Sequence, residues 1–180
     1  MSHYKAFSPN VEVNGETVLS VIEGMGSFKS SALKILSNNG INDPRPGQWY
    51  SQQSWLNAFK EIAEKIGPAT VMKIGTKIPE NAKFPPEINN LDKALSILDV
   101  AYHMNHRGGD IGNYKYEKVD ISTSKMVCHN PYPCSFDKGL ITSLSRKFAI
   151  GTGFVNITHS EKDPCRNDGA HTCTFIIKHE

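Results

Sequence analysis

The chain has 180 residues, of which 38% are hydrophobic and 21% charged, with a formal net charge of +2. A single domain of that length buries roughly 70% of the surface its unfolded chain exposes, so it can build a core without staples. The balanced charge and lack of a long basic run leave no electrostatic footprint for nucleic acid, and no apolar stretch approaches the roughly 20 residues a membrane helix needs.

The N-terminus carries neither an apolar run of signal-peptide length nor a cleavage pattern, so the expected location is the cytoplasm. Residues 15–39 read as a helix, because Val18, Val21, Ile22, Met25, Phe28, Leu33 and Leu36 recur near helical spacing and Gly40 ends the run. Gly24 and Gly26 either allow close packing in its middle or split it in two. Residues 51–66 form the second helix, with Trp55, Ala58, Phe59, Ile62 and Ala63 on one face. Pro68 suits the first turn of a third helix ending near Ile78. A fourth runs from an Asn90 cap to about His106, burying Leu91, Ala94, Leu95, Leu98 and Tyr102.

Beyond Gly109 the period changes from helical to alternating. Residues 114–122 and 124–129 predict a β-hairpin, with a one-residue slip between Tyr116 and Val119 that suggests a bulge. Residues 135–148 return to helical spacing, capped by Ser135 or Asp137. Residues 154–160 and 172–178 then predict a second strand pair. The expected fold is α/β of the α+β type: N-terminal helices on an antiparallel sheet of about four strands in strand-strand-helix-strand-strand order. It is one ligand-binding domain, with residues 1–109 as the helical part and 110–180 as the sheet and cysteine part.

All four cysteines, Cys128, Cys134, Cys165 and Cys173, lie in the last third of the chain. In a reducing compartment such clustering favours metal ligation over disulfides. Cys165 and Cys173 flank a turn at Asp168-Gly169 that can return one sulfur to the other. Zinc suits such a set, taking thiolates and imidazoles in a closed tetrahedron with Zn–S near 2.3 Å. Four sulfurs would complete it, as would three sulfurs with His129, His159, His171 or Glu161. Buried apolar thiols, or disulfides at Cys128–Cys134 and Cys165–Cys173, are the alternatives.

The run Asn130-Pro131-Tyr132-Pro133-Cys134-Ser135-Phe136-Asp137-Lys138-Gly139 precedes an amphipathic helix, a strand, the Cys165–Cys173 loop and Thr174-Phe175-Ile176-Ile177. Over about residues 110–180 this resembles the 4-vinyl-reductase-like ligand-binding family, which is related to sensor domains of phenol-responsive activators and to TRAPP tethering subunits. The resemblance implies a sensor fold with a buried apolar pocket and a zinc ion. The ion would be held by Cys134 or Cys128, by Cys165 and Cys173, and by an acid three residues before the loop. That position is Lys162 here, between Glu161 and Asp163, so the fourth ligand departs from the pattern. A closed shell of protein ligands makes such zinc structural.

For the pocket, Trp55, Phe59, Met72, Ile97, Tyr102 and Met104 are candidates, although residues of these kinds at helical spacing ordinarily build core. His103 offers a ligand-binding or haem-ligating imidazole; alternatively His103 and His106 simply complement a helix C-terminus. No nucleophile elbow, phosphate loop or zinc-protease motif is present, so no catalytic residue is assigned and the chain is not expected to be an enzyme. The expected function is a small-molecule sensor or carrier with structural zinc and a hydrophobic or aromatic ligand. The alternatives are a haem-binding gas sensor using His103, or an assembly protein. A second copy of the chain or a signalling protein is the expected partner.

Overall fold

The computed structural model describes residues 3–149, 154–163 and 165–179. Helix α1 (Gly15–Gly24) starts where the Asn14 side chain accepts from the Thr17 amide at 2.9 Å. A short 3-10 turn follows, and α2 spans Lys29–Asn38. The single helix expected over 15–39 is thus two, broken at Gly26, whose φ is +52°. Helix α3 (Gln52–Lys65) is capped by Ser51, and α4 (Pro68–Asn81) carries Pro68 in its first turn. The fourth expected helix also divides, into α5 (Leu91–Ser96), capped by Asn90, and α6 (Leu98–Met104).

Three very short strands tie the helices together. These are β1 (Glu12–Asn14), β2 (Trp49–Ser51) and β3 (His106–Arg107), in the order β2-β1-β3. Val13 faces Tyr50 on one side and His106 on the other, which anchors His106 just beyond α6.

The larger sheet contains β4 (Asn113–Lys118), β5 (Thr123–His129), β6 (Val155–His159) and β7 (Cys173–His179) in the antiparallel order β4-β5-β7-β6. Helix α7 (Cys134–Phe148) stands between the two hairpins in sequence, so the strand-strand-helix-strand-strand order holds. The β4–β5 register is continuous from Asn113↔His129 to Lys118↔Ser124 and contains no bulge. Val119 and Ile121 lie in the turn, exposed, which is why alternation failed there. The face carrying Tyr114, Met126, Cys128, Cys173, Phe175, Ile177 and Ile157 is buried.

Helices α4 and α7 pack backbone to backbone. A Cβ on Gly75 would collide with the Phe136 carbonyl, and one on Gly139 with the Met72 carbonyl. The two glycines therefore face one another's helices where the backbones approach closely. Neither Ser135 nor Asp137 caps α7; Pro133 holds the cap position, and Asp137 turns inward, fully buried.

Candidate metal centre and buried cavity

The β6–β7 hairpin and the start of α7 converge at one end of the large sheet. Cys134 opens α7, Cys173 opens β7, and Cys165 precedes a 3-10 turn at Arg166–Asp168 that ends on Gly169 at φ +87°. That left-handed residue reverses the loop. The register sets His159 opposite Phe175, two residues beyond Cys173, and its ring stacks on Phe175 at 4.4 Å.

As a result, ligand atoms of Cys134, His159, Cys165 and Cys173 all lie within 4.8 Å of one another. The sulfurs are 2.8 Å (Cys134–Cys173), 3.3 Å (Cys165–Cys173) and 3.4 Å (Cys134–Cys165) apart, and His159 Nε2 is 3.8 Å from Cys165 Sγ. A zinc tetrahedron with Zn–S near 2.3 Å has S···S edges of about 3.8 Å, so a small outward movement of the thiols would seat the ion. All four cysteines are free thiols, so neither of the alternative disulfides is formed. His3 Nε2 also stands 3.5 Å from Cys134 Sγ. Cys173 is held far below the ordinary thiol range, first because Cys134 donates to it and further because of the nearby Arg166; Cys134 is correspondingly raised.

Cys128, expected as a ligand, is not in this group. It is completely buried beside Asp137, and burial pushes its thiol well up. Glu161, His129 and His171, the other candidates for a fourth ligand, also lie outside the group.

Behind the cluster runs a buried polar chain that sequence reasoning missed. Arg166 and Asp137 form an ion pair with side chains only 3% and 0% exposed. Arg166 Nη1 donates to Asn130 Oδ1 at 2.6 Å, and Tyr114 donates to Asp137 at 2.6 Å. The Asn130 Oδ1 atom accepts from the Tyr132 amide at 2.9 Å. Burial pushes the Asp137 carboxyl up, against the opposing pull of Arg166 and Tyr114. A lone Arg or Asp ordinarily lies at the surface, so only coordinates reveal this pair.

The chain ends at a cavity of about 60 Å³ whose walls include Tyr102, His106, Tyr114, Tyr132, Phe136 and Leu140. His106 is buried there. Its Nδ1 lies 2.8 Å from the Tyr102 carbonyl, which can only accept, so Nδ1 carries the proton. Nε2 therefore accepts from the Tyr132 hydroxyl at 2.6 Å. Burial lowers this imidazole from 6.5 to about 4, keeping it neutral near pH 7.

Of the expected pocket residues, Tyr102 alone lines this cavity. Trp55 and Phe59 stack at 4.6 Å in the closed core. Met72 and Ile97 are half-buried elsewhere, and Met104 is 74% exposed. His103 is half exposed, with Nδ1 against the Asp99 carbonyl at 2.9 Å. Gln52 Oε1 and Trp55 Nε1 are buried without a hydrogen-bond partner among the described residues. The period of the helices identified the inner face but not which inner residue meets a void.

No family model and no curated protein matches the chain. Solved structures do match. An H-NOX protein from S. oneidensis in the Fe(II)NO ligation state is 14% identical with a TM-score of 0.68, over 93% of this chain and 99% of that one. An H-NOX structure from a study of haem distortion is 17% identical with a TM-score of 0.67, over 93% and 95%. A variant of the T. tengcongensis H-NOX gives 17% and 0.67, over 93% and 97%. These neighbours are haem-nitric oxide/oxygen-binding domains, and they correct the resemblance to the 4-vinyl-reductase-like family. The α+β architecture of this chain is similar to the fold of the H-NOX domains.

Proposed function

We propose that this chain is a small-ligand sensor domain of the H-NOX-like fold, stabilised by a zinc ion on Cys134, His159, Cys165 and Cys173. The convergence of four ligand atoms, from α7, β6, the loop after it and β7, within 4.8 Å carries the metal reading. Four protein ligands leave no open position for a reactive water, so the ion's role is structural. It would clamp the β6–β7 hairpin to the start of α7, and its binding free energy would add to folding. The sensor reading is supported by the likeness to domains described as haem- and NO-ligated, and by the small, largely apolar pocket beside His106.

The second reading is a haem-binding gas sensor, which the fold likeness favours. Two observations count against haem in this packing. The cavity at His106 is about 60 Å³, whereas sites for ligands smaller than a porphyrin take roughly 300–1,000 Å³. Both ring nitrogens of His106 are also occupied, by Tyr102 and Tyr132. The residues around His106, as arranged, leave too little room for a porphyrin.

Two titrations of chelator-stripped protein decide between the readings. About one equivalent of zinc should raise Tm, and haem should give no Soret band. A Soret band lost in His106→Ala, with no response to zinc, would replace the first reading by the second.

A further inference from the structure

Arg166 is the one buried arginine among the described residues, and its N–H groups serve neighbours in two directions. On one side its backbone N–H and its Nε–H both donate to Cys173 Sγ, each at 3.3 Å. On the other, Nη2 pairs with Asp137, and Nη1 reaches the carbonyl and side chain of Asn130. Among the described residues no such donor pair reaches Cys134, and Cys165 accepts only a loop amide, that of Asn167 at 3.4 Å, besides its contacts within the cluster.

Charge gives this geometry a purpose. A divalent ion on three thiolates and a neutral imidazole carries one net negative charge. That charge sits in a largely buried corner where water compensates poorly. A guanidinium with its plane fixed by a carboxylate is a rigid donor, and a lysine ammonium cannot reproduce its directions. Groups of this kind, bonded to a ligand and not to the metal, orient ligands and raise metal affinity.

We propose that Arg166 is the positioning residue of the metal centre: it orients Cys173 Sγ through two N–H···S bonds and offsets the charge of the thiolate cluster, while Asp137 and Asn130 lock it in place. The inference rests on the metal reading above and goes further by assigning the group that makes one sulfur different from the other two. It also gives the buried Asp137 a role, as the anchor of Arg166.

The direct test loads the unsubstituted protein with ¹¹³Cd and looks for scalar coupling between the metal and protons across N–H···S bonds. The expected result is coupling to two protons of Arg166, the backbone amide and Nε–H, through Cys173. A second measurement compares cadmium affinity by chelator competition. Arg166→Lys should bind roughly 10–100-fold more weakly, whereas Arg146→Lys, at an exposed position, should match the parent. Should Arg166→Lys fail to fold, the coupling in the parent still decides. Bound cadmium without coupling to either Arg166 proton would overturn this inference and leave the metal reading standing. A parent that binds no cadmium would overturn both.

Discussion

At the residue scale, the three clustered cysteines and the isolated one make opposite predictions. Cys165→Ser or Cys173→Ser should abolish stoichiometric metal. Cys128→Ser should keep the metal and lose about 1–3 kcal/mol, because it buries a hydroxyl where a thiol packed. Metal content and urea melts of the two sets would check this; loss of metal in Cys128→Ser would contradict the ligand assignment. Cys128 shows how far spacing alone reaches. The clustering of four cysteines in the sequence predicts a shared site, yet which sulfurs meet depends on sheet register. Cys128 and Cys173 are strand partners, but α7 brings Cys134 to Cys173 instead. His159 was one of four candidates for the remaining place, and the register that stacks its ring on Phe175 brings it, and not the other three, beside the sulfurs.

His106 supplies the pH dependence. Its folded-state pKa of about 4 lies below the ordinary 6.5 because of burial. The unfolded chain therefore takes up the proton first as pH falls. The stability contribution is complete above about pH 6.5 and is lost on descent through about pH 4. Linkage puts the loss from this group at about 2 kcal/mol between pH 7.5 and pH 5. Denaturant unfolding at both pH values should show that much less pH dependence in His106→Gln than in the parent; equal slopes would refute a buried neutral His106.

At the element scale, the long amphipathic helices α3 and α7 followed from 3.6-residue periodicity, α4 from Pro68 in its first turn, and the two main hairpins from alternation. What escaped were features shorter than a period. Strands β1, β2 and β3 have two or three residues each, too few to alternate. The break at Ile97 leaves the apolar spacing of α5 and α6 almost in phase. The α4–α7 contact was also invisible, because a glycine within a helix reads only as a weak point. It predicts that Gly139→Ala loses at least about 1–3 kcal/mol, since the added methyl meets a main-chain carbonyl that cannot rotate away. An unchanged thermal midpoint in Gly139→Ala would show that the two helices are not in that close register.

At the scale of the whole molecule, an H-NOX-like fold carries at one end a cysteine-histidine cluster and, farther in, a small pocket flanked by His106 and Tyr132. Arg166, Asp137, Asn130 and Tyr132 run between them as one hydrogen-bonded path. Chelation should therefore do more than release an ion: it should lower Tm cooperatively, with one transition for the helical and sheet parts together. Circular dichroism and near-ultraviolet tyrosine signals melting at separate temperatures would contradict that coupling. The fold class was legible because secondary structure is local. The small cavity was not, because it arises where side chains from α6, β4 and α7 fail to close on one another.

The most direct measurement is the elemental content of protein purified without added metal, set against a Cys165→Ser/Cys173→Ser double variant. One equivalent of zinc in the parent and almost none in the variant is the predicted result. Equal metal in both, or a parent devoid of metal with fully reduced thiols and an undiminished Tm, would contradict the account.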